Sequence, residues 1–501
     1  MPDPHPATTR EALADGPRDR LHRALGIAAV GLPLLLLVLP LAFNTDNVHL
    51  GPESAAYDRL VLGRRTFGPL PGTSIWSPST WTFDTNFPLG TPFVFGIAPA
   101  LRLDDVIVGR LLAFLAALGG LTAIVKFHSR QGVLVAGSVG AAFWLAPSVL
   151  RGAMVSGEES FLLAAAALAV LGIVRRGRGW TVASILAANA MVLFRLDAIL
   201  LLPAYFLAAV QGRGLRQGTA MGLASGASTL LHLGTSWSMH DDALAFAHLA
   251  RNVAASAGST SAPSGWDYPA LIAEHLGGPL LLVVALAGLV VASLRGGREG
   301  RVWSVFVFGT TVAYGVAEGA GFLNLTFARY VAPLLAMLGA SVPLVVLAAP
   351  DRRRVPASLA GLALVSALLV RTGQQAWRDA DEARLPLVVR DGARWLDACA
   401  RGYSILVTSH APEIEVEANW PPGYLHHVEL PWNWHKPRPV ARQLRDKNIG
   451  LVFIPEVGLD ADATVPALGP EWEIVWRAGD AFIRSRASGD ELARQRACLP
   501  P

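Results

Sequence analysis

The chain has 501 residues, of which 52% are hydrophobic and only 16% are charged. Together with a mean hydropathy of +0.41, this composition excludes an ordinary soluble domain and indicates many membrane spans. The net charge of +4 says little alone, because the position of the basic residues decides topology. A polar leader, 1–23, precedes an apolar run without a small-residue cleavage site, so we interpret 24–43 as an uncleaved first span.

Apolar runs long enough to cross a bilayer recur along the first three quarters of the chain. A span requires about 20 apolar residues, and about eleven runs approach that length. The predicted spans are 24–43, 107–125, 132–150, 160–174, 180–194, 196–211, 218–236, 279–294, 302–317, 330–349 and 355–370.

The charged residues between these runs predict the topology. With the N-terminus in the cytoplasm, the inner segments carry Arg10, Arg18, Arg20, Arg23, Lys126, Arg130, Arg175, Arg176, Arg178, Arg213, Arg216, Arg295, Arg298, Arg301, Arg352, Arg353 and Arg354. The outer segments carry acidic groups at Asp46, Glu53, Asp58, Glu158, Glu159, Asp241, Asp242 and Glu318. This pattern obeys the positive-inside rule and places the C-terminus outside.

From Arg371 onward the composition becomes that of a soluble domain. Short apolar runs at 404–408 and 450–454 predict buried strands, and the stretches 388–400 and 440–447 alternate with them. We therefore expect an α-helical polytopic membrane domain, 24–370, followed by a small α/β domain, 371–501, on the outer face. Cys399 and Cys498 could pair in an oxidising compartment, but their spacing does not decide whether they meet.

The first outer loop, 44–106, concentrates carboxylates at the membrane edge. Asp46 follows the first span by three residues, Glu53 and Tyr57 are four residues apart, and Asp58 comes next. If Pro52 begins a short helix, Glu53 and Tyr57 share a face. The loop is also rich in tryptophan, phenylalanine and proline, which is typical of an interfacial segment. The alternative interpretation is a solvated loop with an aromatic belt.

Three further groups of polar residues follow on the outer side. Glu158 and Glu159 precede an apolar helix, where acids cap the first turn or serve a site. Arg195 and Asp197 lie between two apolar runs, so Arg195 either pairs with the acid or contacts a lipid phosphate. Arg329 and Tyr330 open the tenth predicted span. Arg329 would either hold an anion bidentately or extend to the interface as an anchor.

No motif for a nucleotide or a metal stands out. The chain contains no P-loop, GxGxxG, HExxH or GxSxG in a suitable context. The run at 240–242, His-Asp-Asp, has no diagnostic ligand spacing and fits a solvated loop better than a metal site. The sequence therefore predicts no firm cofactor, no metal ligands and no nucleic-acid partner.

Several short motifs, in order and on one predicted side, resemble the GT-C superfamily of polytopic glycosyltransferases. The similarity is to bacterial members related to lipid A aminoarabinose transferase and to the protein O-mannosyltransferases. The acidic first loop, the pair Glu158-Glu159 and three short stretches carry it. These stretches are Asn86-Phe87-Pro88-Leu89-Gly90-Thr91-Pro92 with Val108-Gly109-Arg110-Leu111-Leu112, Arg195-Leu196-Asp197 with Pro203, and Ala328-Arg329-Tyr330-Val331-Ala332-Pro333.

This resemblance implies sugar transfer from a polyprenyl-phosphate donor to an acceptor hydroxyl of a cell-envelope glycan, lipid or protein. The expected site is at the outer face of the inner (cytoplasmic) membrane. Family members usually carry an adjacent acidic pair followed by tyrosine, whereas Pro52-Glu53 stands there, so the general base is Asp46 or Glu53. Arg195 or Arg329 would stabilise the departing phosphate. Glu158, Glu159, Asp197, Tyr57 and Tyr330 are expected to bind substrate. Some members use a divalent cation, which this carboxylate set could hold.

Two other classes of function stay open. A transporter or lipid flippase would show inverted repeats, or helices broken at the midplane with ionisable residues inside the spans. The predicted spans contain few such charges. A non-catalytic membrane scaffold would use its outer domain instead, and the missing acidic pair favours this alternative.

Overall fold

The computed structural model describes residues 90–154 except 102 and 104, 158–244, 248, 267–320, 328–382 and most of 386–498, with parts of 21–36. Within 386–498, the positions 412–413, 416–417, 419, 421–423, 430–437 and 457 are outside the description. The predicted general bases Asp46 and Glu53, together with Tyr57 and Asp58, also lie outside the described residues.

Between residues 90 and 382, most of the described residues lie in helices. From residue 90 onward they include α1 Gly90–Phe95, α2 Ile97–Ala100, α3 Asp105–His128, α4 Val133–Ala142, α5 Pro147–Met154, α6 Glu158–Val174 and α7 Arg178–Phe194. A 3-10 turn, Leu196–Leu200, joins α7 to the next helix. The remaining helices of this part are α8 Leu201–Arg213, α9 Leu215–Ala224, α10 Ala227–His240, α11 Asp267–Leu276, α12 Pro279–Arg295, α13 Gly297–Gly319, α14 Ala328–Ser341 and α15 Asp351–Glu382.

Each predicted span from 107 to 370 coincides with helical residues, although two of them are split. The span 132–150 is divided into α4 and α5, and the span 218–236 into α9 and α10. By length and composition, four described helical stretches can cross a membrane: Ile107–Gln131, Leu196–Arg213, Val331–Ala348 and Arg352–Ala376. The pair Tyr268–Leu276 and Pro279–Arg295, bent by 97°, would be a fifth. The total of eleven spans and their orientation stay predictions.

Small residues let the helices of the bundle approach closely. A Cβ added at Gly172 of α6 would lie 2.6 Å from Ser184 Cβ of α7, closer than two such atoms can approach. The Ser184 hydroxyl also donates to the carbonyl oxygen of Ala169, at 2.6 Å. Close packing and interhelical hydrogen bonds of this kind hold helices together in a membrane, where lipid removes most of the hydrophobic driving force.

Basic residues gather at one end of the bundle, which we call the basic end. It comprises Lys126, Arg130, Arg175, Arg213, Arg295 and Arg298. Arg175 donates to the carbonyl oxygen of Lys126 at 2.9 Å, and Arg298 donates to that of Gly212 at 2.9 Å. Four of the basic segments that were predicted to lie on the inner side, at 126–130, 175–178, 213–216 and 295–301, therefore meet in the fold.

A five-stranded sheet follows in the C-terminal part, where the sequence predicted an α/β domain. Its elements are α16 Leu387–Cys399, β1 Ile405–Val407, β2 Leu425–His427, α17 Val440–Asp446, β3 Leu451–Ile454, α18 Leu459–Thr464, β4 Glu473–Ala478, β5 Ala481–Ser485 and α19 Gly489–Ala497. The strand order is β2-β1-β3-β5-β4. The strand β1 is parallel to β2 and β3, and β5 is antiparallel to β3 and β4. The two predicted strands correspond to β1 and β3.

A disulfide joins Cys399, at the end of α16, to Cys498, just after α19. The Cα atoms are 5.9 Å apart and the two residues are separated by 99 positions. Closing a loop of this length removes conformational entropy from the unfolded chain, which corresponds to about 4–5 kcal/mol in the chain-entropy description. The sequence left this pairing open because it depends on how two distant helices meet.

Candidate functional site

Four helix ends meet opposite the basic end and bring acidic side chains around one arginine. We call this place the acidic end. Its carboxylates are Glu158 and Glu159 at the start of α6, Asp197 in the 3-10 turn after α7, and Glu318 near the end of α13. The arginine is Arg195, which directly follows the last residue of α7.

Arg195 is bound by three of these carboxylates. Its Nε and Nη2 atoms donate to the two oxygens of Asp197, at 2.9 and 3.1 Å. Its Nη1 atom donates to Glu159 Oε1 at 2.9 Å. Glu158 Oε1 lies 3.9 Å from Nε. A planar guanidinium matches a carboxylate in this two-point geometry, which a lysine could not reproduce.

The local backbone explains why these residues converge. Arg195 is extended, with φ −149° and ψ 128°, so the chain leaves the helical path of α7 before it enters the 3-10 turn. Asp197 is two residues further on and lies within reach of the same guanidinium. Glu158 and Glu159 occupy the first turn of α6, where the helix dipole favours acids. The sequence left capping and a functional role open for these two acids, and the structure places both in the first turn of α6 and in contact with Arg195.

Burial makes this cluster more than a surface ion pair. The side chains of Arg195 and Glu159 are 3% and 5% exposed, and those of Asp197 and Glu158 are 10% and 13% exposed. Three carboxylates around one cation leave the cluster negative when all are ionised. Buried charges persist only where partners and hydrogen bonds compensate desolvation, and removing one partner costs about 3–5 kcal/mol.

Sequence reasoning missed the contribution of α13. The hydroxyl of Tyr314 donates to Asp197 Oδ2 at 3.4 Å, across 117 positions of sequence. Tyr314 and Glu318 are both buried, and they are one helical turn apart. Tyr268 of α11 donates to the carbonyl oxygen of Thr311 at 2.8 Å and so ties α11 to the same helix. The only sequence signal was the spacing of Tyr314 and Glu318 at the outer end of a predicted span.

Aromatic rings from α1, α6 and α7 pack against one another. The rings of Phe161 and Phe194 stack with centroids 5.0 Å apart, and Phe95 meets Phe161 edge-on at 5.9 Å. Phe194 directly precedes Arg195, and Phe161 follows Glu159 by two positions. Phe161 and Phe194 therefore belong to the same helix ends as Glu159 and Arg195.

The structure brings together four of the predicted site residues: Glu158, Glu159, Arg195 and Asp197. Arg329 and Tyr330 lie in the first turn of α14, whose helix packs against α6 and α13, but only their backbone is described. Within the described ranges, no group of three His, Cys, Asp or Glu side chains is arranged to hold a metal ion.

The bundle and its C-terminal sheet match solved structures along almost the whole chain. The crystal structure of ArnT from Cupriavidus metallidurans bound to undecaprenyl phosphate matches with a TM-score of 0.59 and 13% identity, over 94% of this chain and 98% of that one. The apo structure of the same ArnT gives 0.61 and 12%, over 94% and 99%. The chain has a GT-C fold.

The GT-C fold and the apolar helices make the chain a multi-pass membrane protein. A structure of the mycobacterial arabinofuranosyltransferase AftD also matches, at a TM-score of 0.46 and 17% identity, over 94% of this chain. The match spans 42% of AftD. No family model matches the sequence, and neither does any curated protein sequence.

Proposed function

We propose that the protein is a membrane glycosyltransferase that moves a sugar from a polyprenyl-phosphate donor to an acceptor hydroxyl at the outer face of the cytoplasmic membrane. The observation that carries this proposal is the buried cluster of Arg195 and three carboxylates at one end of a GT-C fold. ArnT, which shares this fold, has been crystallised with undecaprenyl phosphate.

The chemistry requires a base for the acceptor and a cation for the departing phosphate. In the proposed step, Asp46 or Glu53 removes the hydroxyl proton while the acceptor oxygen attacks the anomeric carbon. The bond from that carbon to the lipid phosphate breaks, and its electron pair leaves with the phosphate. We favour Asp46 because it is closer to the first predicted span. Glu53 stays the alternative.

The contacts of Arg195 suggest different roles for Arg195 and Arg329, the two predicted cations. Its Nε, Nη1 and Nη2 atoms all donate to carboxylates. We therefore propose that Arg195 positions Glu159 and Asp197, and that Arg329 meets the phosphate. The carboxylates would accept hydrogen bonds from sugar hydroxyls, and the hydroxyls of Tyr57 and Tyr330 would donate hydrogen bonds to them. A divalent cation, if one is used, would be held by Asp46 or Glu53 together with Glu158.

The disulfide supports placing the acidic end and the C-terminal domain outside the cytoplasm. Disulfides persist in oxidising compartments such as the periplasm. The helix α15 begins three residues after Ala348, a partner of Arg295 at the basic end. Its 32 residues extend for roughly 48 Å. The chain therefore enters the C-terminal domain from the side of the acidic end.

The test is a transfer assay with the full-length protein in proteoliposomes. Radiolabelled polyprenyl-phosphate sugars are supplied with an envelope extract as acceptor, and release of polyprenyl phosphate is followed. We expect loss of a general base, in Asp46→Asn or Glu53→Gln, to lower the rate by about 10²–10⁴-fold. Glu299→Gln is the matched control, because Glu299 pairs with Arg130 at the basic end, at 2.8 Å. It should keep the wild-type rate.

Two outcomes would overturn different parts of the proposal. Wild-type rates in Asp46→Asn, Glu53→Gln and the double variant would exclude both residues as the base. If the wild-type protein neither binds nor consumes any such donor, the enzyme class is wrong. A scaffold or a transporter would then be the better interpretation. Adding EDTA to the same assay tests the divalent cation separately.

A further inference from the structure

An open cleft of about 530 Å³ lies at the basic end, where α8 turns into α9. Its lining consists of Arg213, Gly214, Leu215, Arg216, Gln217 and Ala220. We propose that this cleft binds the phosphate headgroup of an anionic phospholipid. The cleft lies at the opposite end of the bundle from the acidic end, and the proposal does not depend on the transfer reaction.

The positive charge at this cleft is not balanced by acids. Arg213 Nη2 donates to the carbonyl oxygen of Gly172 at 2.7 Å. Arg298 approaches from α13 and donates to the carbonyl oxygens of Gly212 and Val174, at 2.9 and 3.3 Å. Carbonyl oxygens orient a guanidinium but do not neutralise it. Within the part of the chain that the structure describes, no carboxylate forms an ion pair with Arg213, Arg216 or Arg298.

Donors at the cleft still lack acceptors. The first bond of α9 is donated by Gly218 to Gly214, so the amide groups of 215–217 have no partner within their helix. A helix of ten residues begins here, and its dipole favours an anion at this end. The side chain of Arg216, on the same turn, is exposed.

The surroundings favour a lipid over a free anion. Exposed apolar side chains flank the cleft: Leu215 is 75% exposed, Leu223 of α9 is 74% and Leu207 of α8 is 51%. In a multi-pass membrane protein such residues face acyl chains, so a headgroup in the cleft would have its tails along α8 and α9. Basic clefts between helix ends on the inner side suit anionic headgroups for this reason.

The experiment measures lipid binding by the full-length protein, stripped of lipid in detergent. Native mass spectrometry compares phosphatidylglycerol with phosphatidylcholine for the wild type, Arg216→Gln and Arg301→Gln. Arg301 is an exposed arginine on α13 at the same end and does not line the cleft. We expect Arg216→Gln to weaken phosphatidylglycerol binding by about tenfold, the equivalent of one charge-assisted hydrogen bond. Arg301→Gln should bind it like the wild type.

Three results would overturn the proposal. Equal losses in Arg216→Gln and Arg301→Gln would mean that diffuse charge, and not the cleft, attracts the lipid. Equal binding of phosphatidylcholine and phosphatidylglycerol by the wild type would exclude selection for an anion. Competition by inorganic phosphate at the same concentration as phosphatidylglycerol would show a site for a free anion. The thermal melting temperature of each variant, measured in parallel, separates lost binding from lost folding.

Discussion

The two ends of the helix bundle satisfy their arginines in opposite ways. At the acidic end, Arg195 is bound by carboxylates and its charge is more than balanced. At the basic end, Arg213 and Arg298 donate to backbone carbonyl oxygens, and their charge stays uncompensated. Arginine therefore serves as the centre of an ion-pair cluster at the acidic end, and it binds the carbonyl oxygens of helix ends at the basic end.

This difference has a physical consequence for function. A balanced cluster holds its members in fixed positions, which suits a site that must orient reacting groups. An unbalanced cluster keeps a positive potential that attracts anions from outside the protein. We therefore expect substitutions at the acidic end to change stability and chemistry together, and those at the basic end to change mainly stability and lipid binding.

The largest effect is expected for Arg195→Met. The change removes the common partner of Glu159 and Asp197 and leaves buried carboxylates uncompensated, at a cost of about 3–5 kcal/mol. Thermal unfolding in detergent should show a large fall in the melting temperature. The double variant Arg195→Met with Glu159→Gln should recover part of this loss. A double variant that is as unstable as the sum of the two single variants would show that the two residues do not interact.

A smaller effect is expected for Arg298→Met at the basic end. The variant loses hydrogen bonds to the carbonyl oxygens of Gly212 and Val174, but no carboxylate is left unpaired. Loss of bonds from a charged donor costs about 1.5–3 kcal/mol, so the fall in melting temperature should be less than for Arg195→Met. Transfer activity per folded molecule should stay at the wild-type level. If the melting temperature of Arg298→Met fell further than that of Arg195→Met, the carbonyl contacts of the basic end would contribute more stability than the ion pairs of the acidic end.

More of the basic end than of the acidic end could be predicted from the sequence. The charge pattern predicted which segments lie together, because short loops carry their topology in their own composition. It also predicted that Arg195 could pair with Asp197, since the two residues are only two positions apart. It did not identify the interaction between Tyr314 and Asp197, which depends on how α13 packs against the turn after α7. The carboxylates Asp46 and Glu53 stay predictions.

In the C-terminal sheet, too, local sequence patterns could be predicted but contacts between distant segments could not. The strands β1 and β3 were predicted from short apolar runs, because burial on both faces leaves a continuous apolar signature. The partners of Glu429 were not predicted, since the carboxylate is buried at 2% exposure and its cations lie on later segments. Arg438 Nη2 is 3.1 Å from Glu429 Oε1, and Lys447 Nζ is 2.9 Å from it.

Glu429 allows a buried ion pair to be studied away from the apolar helix bundle, because it lies in the C-terminal part, just after β2. Burial alone would raise the pKa of Glu429, but hydrogen bonds from Arg438 and Lys447 and their charges outweigh it and lower the pKa. A carboxylate with a lowered folded pKa stabilises the fold above its unfolded pKa of about 4.3. This contribution is lost as the pH falls through the folded pKa.

The smallest effect is therefore expected for Glu429→Gln, and it should depend on pH. At pH 7 the variant should be less stable by about 1 kcal/mol, since the amide keeps an acceptor but loses the charge. The gap in melting temperature from the wild type should close as the pH falls below about 4. Glu471→Gln, at an exposed position near β4, is the control and should match the wild type throughout. A gap that stays constant down to low pH would mean that shape and hydrogen bonding, not charge, give Glu429 its role. The ion pairs at the acidic end would then have to be tested for the same alternative.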